Sequence, residues 1–302
     1  MLQVLVFVGA AAAVTPAQPQ VLTPDSAKAV IAQYEKDREE TREWLRAAPS
    51  SYFAAVARRD FGDETVMTVG RAPGNDLRLD DELLKPNHLR VTVEGDSFMV
   101  EAVDEGTTFK LDDQETRHAK MTSGRVFIGR LSLRLSHQGY PGIIISDPES
   151  GQYAKYHGIE YFPPDLNYRY VLPLTPNPDP DTLVIMSTRG NQRSALRVGW
   201  FDFMVGDTAV RLEATRLLEP GVGEDDFGIF FRDATSGNET YALGRYLNVE
   251  KAGDALYLLD FNFAYAPACA YSPHYNCPIP PKANRLKVAI RAGEMDGHYM
   301  EH

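Results

Sequence analysis

Basic residues are scarce in this chain of 302 residues, in which 31 Lys and Arg stand against 42 Asp and Glu and give a formal net charge of -11. A surplus of negative charge repels polyanions, so nucleic acid and acidic membranes are not expected partners. Hydrophobic residues make up 43% of the chain, which is enough for two domains with cores of their own. The chain is therefore expected to be globular.

Motifs for metals and for nucleotide cofactors are also lacking. The seven histidines are scattered, and the sequence has no His-Glu-x-x-His and no glycine loop of the phosphate-cradling or dinucleotide-binding kind. His298 and His302 fall in residues 297–302, which are expected to form a frayed tail. The sequence therefore predicts no metal site and no cofactor.

Long hydrophobic runs are missing except for one near the N-terminus. Residues 2–14 are apolar and uncharged, and Thr, Pro and Ala follow at 15–17. Such a run is too short to span a bilayer but has the core and the small-residue exit of a signal peptide, although the usual Lys or Arg before it is missing. We expect residues 1–17 to be a signal peptide and residues 18–24 a flexible linker. The mature chain would begin near residues 13–18 and lie outside the cytoplasm.

Hydrophobic periodicity divides the rest of the chain into three regions. Between residues 25 and 48, apolar side chains recur at helical spacing with charged residues opposite them, which predicts an amphipathic helix. Residues 49–140 hold short β-rich runs with a period of two, separated by Gly, Asp and Asn, which is typical of a small β-sandwich. Residues 141–296 hold further β-rich runs and predict a larger antiparallel β domain, either a sandwich or barrel-like. The expected fold class is mainly β.

Four motifs in the first β region resemble the forkhead-associated family, and they lie at residues 69–71, 75–79, 87–91 and 127–129. The resemblance implies a β-sandwich, and in that family the Gly-Arg turn lines a phosphothreonine pocket. Lys85 stands where the family has Ser, and no Asn-Gly turn follows. These departures favour a structural sandwich over a phosphopeptide reader, although Arg71 could still pair with an anion.

The second β region carries denser motifs, which lie at residues 158–163, 231–241, 244–247, 259–262, 267–271, 277–281, 284–286 and 292–294. Their order and spacing resemble the domain of unknown function 1684 family of uncharacterised bacterial and archaeal proteins. The resemblance implies a β-rich fold without a settled activity. The chain departs from the family at Phe263, where a basic residue is usual, and at Ala266, where Asn is usual.

Polar residues crowd one part of this region, where the alternation of a hairpin otherwise predicts burial. Asp260 and Asn262 share one strand face, near Glu239 and Arg245 from a preceding hairpin. In one interpretation Glu239 and Asp260 are a catalytic acid and base, and Arg245 holds an anionic group of the substrate. In the other, the same groups form a structural network of ion pairs and loop caps. The predicted pocket comprises the catalytic pair and four ligand-binding residues: Glu239, Asp260, Tyr241, Arg245, Asn262 and Asn284.

Cysteine is scarce, with two residues in the whole chain. Cys269 and Cys277 are close in sequence and, in the oxidising compartment of an exported protein, are predicted to form a disulfide; free thiols or a shared metal are the alternative. Two functions remain open for the chain. It is either an extracytoplasmic hydrolase that acts on a small molecule or an anionic group, or a non-catalytic ligand-binding or envelope-structure protein.

Overall fold

A computed structural model describes residues 15–300 of the chain. Residues 1–14, which hold most of the predicted signal peptide, and residues 301–302 lie outside the described residues. Within the described part, strands dominate and one long helix precedes them. The predicted fold class is confirmed.

The long helix, α1, runs over Pro24–Ala47. Thr23 caps its N-terminus, since the Thr23 hydroxyl accepts a hydrogen bond from the Ser26 amide at 3.3 Å. The helix ends at Ala47, and Ala48 after it is extended because Pro49 follows. Tyr34 and Leu45 on one face of the helix are each 1% exposed, so α1 is docked on the rest of the molecule.

The sandwich is built from strands β1 (Ala55–Asp60), β2 (Val66–Gly70), β3 (Leu77–Arg78), β4 (Leu89–Glu94), β5 (Ser97–Ala102), β6 (Phe109–Leu111), β7 (Gln114–Thr116), β8 (His118–Met121), β9 (Gly124–Ile128), β10 (Leu131–His137) and β11 (Pro141–Ser146). One sheet has the order β1-β11-β10-β9-β6-β7 and the other β3-β2-β4-β5-β8. Neighbouring strands are antiparallel except for β2 and β3. The inward residues of each strand alternate with outward ones and fill the core between the sheets.

Strand β11 belongs to the sandwich, because it pairs with both β1 and β10. The predicted boundary at residue 140 lies immediately before this strand. The turn at Gly139 has a φ of +71° and ends β10, and the chain then returns along the same sheet. The apolar run Ile143 to Ile145 therefore completes the sandwich and does not begin the next domain.

The C-terminal domain contains β12 (Arg169–Pro173), β13 (Thr175–Pro176), β14 (Thr182–Met186), β15 (Gln192–Val205), β16 (Thr208–Leu217), β17 (Gly228–Phe231), β18 (Arg245–Asn248), β19 (Glu250–Lys251) and β20 (Leu256–Asp260). One sheet has the order β13-β15-β16-β17-β18, with β14 also on β15, and a smaller sheet has the order β12-β20-β19. In the described residues no sheet closes on itself, so the barrel-like alternative is wrong. Aromatic side chains such as Phe203 and Phe261 pack between the two sheets.

A third core joins the helix, the sandwich and the C-terminal domain. It includes Leu45 of α1, Phe53, Ile144 of β11, and Tyr271 and Cys277 of the C-terminal domain. Outward residues of the sandwich are therefore covered by the other two units. Among the described residues, no helix has both the length and the apolar character needed to cross a membrane.

Both terminal segments are bonded to the C-terminal domain. The Ala17 amide donates to the Asp202 carbonyl at 3.0 Å, and Gln20, in the segment predicted as a linker, receives a 3.0 Å hydrogen bond from the Arg169 guanidinium. In the segment predicted as a frayed tail, the Tyr299 hydroxyl donates to the Gly158 carbonyl at 2.6 Å. Both terminal segments are therefore held by main-chain and side-chain hydrogen bonds to residues that are distant in the sequence.

Candidate functional site

A cavity of about 660 Å³ lies between α1 and the C-terminal domain. Gln33, Asn248 and Glu250 are exposed and line its mouth, whereas Tyr271 and Glu294 are buried and line its floor. Cavities of this size commonly hold small organic ligands. Its polar lining groups are, in addition, Tyr34, Asp37, Thr41, Trp44, Tyr52, Tyr161, Arg169, Asp260, Asn262 and Tyr265.

One side of the cavity is built around Asp260, the last residue of β20. The Asp260 carboxylate accepts hydrogen bonds from the Tyr34 hydroxyl at 2.6 Å and from the Arg169 guanidinium at 2.5 Å. Its other oxygen accepts from the Asn262 side-chain amide at 2.9 Å. Burial, and then the hydrogen bond to Asp260, raises the pKa of Tyr34, so the hydroxyl stays a donor. Asp260 is thus a buried carboxylate with an ion-pair partner and three donors.

The strand alternation that predicted this face stops at Asp260. A 3-10 turn at Phe261–Phe263 follows β20, and the Asp260 side chain caps it by accepting from the Asn262 amide at 3.1 Å. The Asn262 side chain also accepts from the Asp165 amide and donates to the Asp165 carbonyl, both at 2.9 Å. Asp260 and Asn262 therefore meet through a cap and not through a shared strand face.

A second buried carboxyl group that lines the cavity is that of Glu294, which is 3% exposed. The Tyr271 hydroxyl donates to the Glu294 carboxyl, and the Ala266 amide also donates to it. Gly293 precedes it with a φ of +82°, and a Cβ there would lie 2.5 Å from the Ala264 carbonyl oxygen. Glycine thus lets the backbone pass close to residues 261–264 and aims the Glu294 side chain into the cavity.

Burial raises the pKa of Glu294 to about 7, against an ordinary value of 4.5. The hydrogen bond from the Tyr271 hydroxyl and the more distant charge of Arg245 act in the opposite direction. Since both hydrogen-bond donors are neutral groups, burial of the charge dominates. Glu294 therefore exchanges its proton near neutral pH.

Arg245, predicted as a ligand-binding residue, does not line this cavity. Its guanidinium is 1% exposed and donates to the carbonyls of Ile290 at 2.8 Å and Ala292 at 2.5 Å. Asp233 lies 3.4 Å from it as a buried ion-pair partner and accepts from the Ile290 amide at 2.6 Å. Arg245 thus fixes the backbone that leads to Glu294 and acts as a positioning residue.

Three further predicted residues also lie away from the cavity. Glu239 is at the surface, where both of its oxygens accept from the Arg291 guanidinium at 2.9 Å. Tyr241 is buried, and its hydroxyl lies 3.6 Å from the Cys269 sulfur. Asn284 is fully buried and bonds to the backbone of Glu213 at 2.7 and 3.0 Å. The structure therefore brings Asp260 and Asn262 together in one cavity and leaves Glu239, Tyr241, Arg245 and Asn284 outside it.

Cys269 and Cys277 are buried neighbours with free thiols. The hydrogen bond between the two thiols lowers the pKa of Cys269 and raises that of Cys277. Their closeness agrees with the spacing from which a disulfide was predicted, and the bridge itself stays a prediction. Within residues 15–300, no three His, Cys, Asp or Glu side chains are grouped so as to hold a metal ion.

The site residues that the sequence did not single out come from distant segments. Tyr34 lies on α1, Arg169 opens β12, and Tyr271 and Glu294 follow the last strand. The sequence signal for Glu294 was its place at the end of a dense motif, directly after a glycine. Tyr34 and Arg169 carry no comparable signal, because their role depends on contacts with Asp260.

A second polar surface lies at the loops of the sandwich. Arg71 is exposed, and its guanidinium has no ion-pair partner within the described part of the chain. The Arg71 amide donates to the Lys85 carbonyl at 3.0 Å, which places two exposed cations on neighbouring loops. Buried His88 supports the second loop by accepting from the Lys85 amide at 3.1 Å.

Two family models match the chain. The model described as a protein of unknown function, DUF1684, matches residues 154–295, and that of the FHA (forkhead-associated) domain matches residues 67–128. No curated protein matches the chain.

Two solved structures are similar to parts of the chain. An uncharacterised protein of Haloarcula marismortui, solved by NMR in solution, is 33% identical, and the match covers 48% of this chain and 79% of that one with a TM-score of 0.39. Mycobacterium tuberculosis EmbR in complex with a low-affinity phosphopeptide is 15% identical, and the match covers 46% of this chain and 34% of that one with a TM-score of 0.22.

Proposed function

Because the chain belongs to the DUF1684 family of proteins of unknown function and carries an FHA domain, we propose a function from the cavity itself. The cavity under α1 binds a small polar organic molecule, and Glu294 exchanges a proton with it. The reaction that this arrangement suits best is hydrolysis. The observation that carries the proposal is the presence of two buried carboxyl groups with different partners in one cavity of about 660 Å³.

The two carboxyl groups are suited to different roles. Asp260 has Arg169 as an ion-pair partner at 2.5 Å and donors around both oxygens. Glu294 is bonded by the neutral Tyr271 hydroxyl and the Ala266 amide, and burial raises its pKa to about 7. Two carboxyl groups in such different environments are a common basis for dividing acid and base roles in an active site.

In the proposed reaction, ionised Glu294 takes a proton from a water molecule while the water oxygen bonds to the electrophilic carbon of the substrate. The protonated carboxyl then returns the proton to the leaving group, so the enzyme is regenerated. Asp260 holds Arg169 and Tyr34 in place in the lining of the cavity, where they can orient a polar substrate group. Asp260 is thus a positioning residue in this scheme.

The binding step is tested by blocking the mouth of the cavity. Gln33→Trp places a large side chain at an exposed lining position of α1, whereas Lys36→Trp makes the same kind of change at an exposed position outside the lining. A metabolite library is screened for small molecules that raise the melting temperature of the wild-type protein. These molecules should no longer raise the melting temperature of Gln33→Trp but should still raise that of Lys36→Trp. Equal effects with both variants would refute the cavity as the binding site.

The catalytic step is tested with Glu294→Gln and the matched surface variant Glu239→Gln. General acid-base groups contribute roughly 10²- to 10⁴-fold to rate, so Glu294→Gln should lose that much turnover of any hydrolysed ligand and still bind it. Glu239→Gln should keep full turnover, because Glu239 lies at the surface with Arg291. Ligands that bind without turnover by the wild-type protein would favour the non-catalytic binding function.

A second candidate function rests on the FHA domain, since two exposed cations, Arg71 and Lys85, lie at its loops. We propose that these loops bind an anionic group such as a phosphorylated peptide side chain. Phosphothreonine peptides should then bind the full chain, and Arg71→Ala should abolish that binding without changing ligand binding in the cavity. Equal binding of the unphosphorylated peptides would exclude this function.

For the compartment, we propose export through the apolar N-terminal run at residues 2–14. Ala17 is bonded to β15 on both its amide and carbonyl sides, at 3.0 and 2.8 Å, which favours cleavage before Ala17. Mass spectrometry of the native protein should find a mature N-terminus within residues 13–17. An intact Met1 in a cytosolic fraction would refute export.

A further inference from the structure

A second cavity, of about 340 Å³, lies between the sandwich and the C-terminal domain. Arg58 and Arg134 reach it from the sandwich, and Arg193 reaches it from β15. Its volume falls within the range of small-molecule pockets. It shares the rings of Tyr52 and Tyr265 with the cavity under α1, and none of the proposed acid-base residues lines it.

The sandwich side of this second cavity presents a row of arginines. Arg58 on β1 pairs in register with Ile144 on β11, Ile144 with Arg134 on β10, and Arg134 with Arg125 on β9. Because side chains alternate along a strand, all four point away from the sandwich core. Three guanidinium groups therefore share one outward row of the sheet.

Two of the arginines that line the cavity already have carboxylate partners. Arg58 donates to Asp60 at 2.8 Å, and Arg193 donates to Glu219 at 2.5 and 2.8 Å. Arg134 is half-buried and has neither an ion pair nor a hydrogen bond within residues 15–300. One half-buried cation of the row therefore has no carboxylate partner among the described residues.

The neighbour of Arg134 across the strand pair is also a cation. Arg125 is half-buried and donates to the Ser132 hydroxyl at 3.2 Å, without an ion pair among the described residues. Burial, and then the charge of Arg134, lowers the pKa of Arg125. Like charges directly opposite each other on two strands destabilise a sheet. An uncompensated pair of this kind is expected where a ligand supplies the missing charge.

We propose that this cavity binds a small molecule carrying a phosphate or pyrophosphate group, with Arg134 of its lining as the anion-binding residue and Arg125, the cross-strand neighbour of Arg134 outside the lining, adding positive charge. A guanidinium group offers several N–H donors in one fixed plane, which matches an anion with several oxygens. The lining also includes the aromatic side chains of Phe230, Tyr246 and Tyr275, which suit a planar or apolar body attached to that group. This site differs from the Arg71 loop of the sandwich.

The test uses the full chain and sodium pyrophosphate as the probe, with sodium chloride at equal ionic strength as the salt control. Pyrophosphate should raise the melting temperature of the wild-type protein saturably, because a ligand that binds the folded state stabilises it. Arg134→Gln should weaken pyrophosphate binding by roughly tenfold or more, the loss expected for a charged hydrogen bond. Arg59→Gln, which removes the same charge from an exposed position on β1, should keep wild-type affinity.

Two further results discriminate this site from nonspecific charge effects. Without pyrophosphate, Arg134→Gln should melt at a higher temperature than wild type, because the repulsion with Arg125 is relieved. In the wild-type protein, pyrophosphate should slow hydrogen exchange in residues 125–136 and 274–278, and leave residues 71–88 unchanged. The hydrogen-exchange result is independent of whether any variant folds. Protection confined to residues 71–88, an equal effect of sodium chloride, or undiminished binding by Arg134→Gln would each overturn the proposal.

Discussion

The buried carboxyl of Glu294 makes the stability of the protein depend on pH in a direction that can be stated in advance. Its pKa is about 7 in the folded protein and near 4.5 in an unfolded chain. Between these values the folded state binds more protons than the unfolded state, so the free energy of unfolding falls as the pH rises. The contribution is fully present below about pH 4.5 and is lost as the pH rises through about 7.

The size of the effect follows from the difference between the two pKa values. One unit corresponds to about 1.4 kcal/mol, so the shift of Glu294 amounts to roughly 3 kcal/mol. Glu294→Gln removes the titrating group but keeps an oxygen that can accept from the Tyr271 hydroxyl. The variant should therefore match wild type near pH 4.5 and exceed its unfolding free energy by about 3 kcal/mol at pH 8.

The measurement is urea unfolding of both proteins at half-unit steps from pH 4.5 to 8. Glu239→Gln is the control, because its hydrogen bonds with Arg291 lower the pKa of Glu239 and move its titration below this range. That control should keep the wild-type slope. A constant difference between wild type and Glu294→Gln across the whole range would refute the raised pKa, and with it the proposed role of Glu294 as a proton carrier at neutral pH.

Three other predictions concern the groups outside the cavity. Arg245→Ala leaves the buried carboxylate of Asp233 unpaired, so it should lower the free energy of unfolding by about 3–5 kcal/mol in urea titrations; a loss below 1 kcal/mol would contradict the positioning role. Asn284→Ala removes hydrogen bonds to two buried backbone segments and should cost about 1–3 kcal/mol in the same assay, whereas an unchanged midpoint would show that water replaces the side chain. For the predicted disulfide between Cys269 and Cys277, thiol titration of the unfolded, unreduced native protein should find no reactive thiol, and two would refute the bridge.

The order of the elements was open to prediction because it depends on local patterns. Helical spacing gave α1 to within one residue at each end, and alternation gave the strands of both β regions. The strand alternation predicted that Asn262 lies on a strand, and this was wrong. Asp260 instead caps a 3-10 turn that contains Asn262. An Asp side chain that accepts from a nearby amide favours a turn, whereas alternating apolar residues on either side of it favour a strand. The two local signals compete, and the alternation alone does not reveal the turn.

The sequence predicted part of the candidate site. Its patterns indicated which polar residues are buried, but not which of them line the same cavity. Asp260 and Arg245 were expected to share polar partners in one pocket, whereas Asp260 pairs with Arg169 and Arg245 pairs with Asp233. The partners of Asp260 come from Tyr34 and Arg169, which lie far away in the sequence. Glu294 was named in a motif, but its raised pKa comes first from burial by the whole domain, to which the charge of Asp296 adds a smaller contribution.

The hydrogen bond between Tyr34 and Asp260 joins residues that are 226 positions apart. Docking α1 therefore closes a loop that contains the sandwich and most of the C-terminal domain, and the entropy lost on closure grows with the length of that loop. Contacts of such long range form late in folding. We expect the helix to dock after both β units are in place, so that the cavity is the last part of the molecule to be completed. The same order in reverse makes the cavity the first part of the molecule to open, and that opening gives the small ligand a way in without unfolding either sheet.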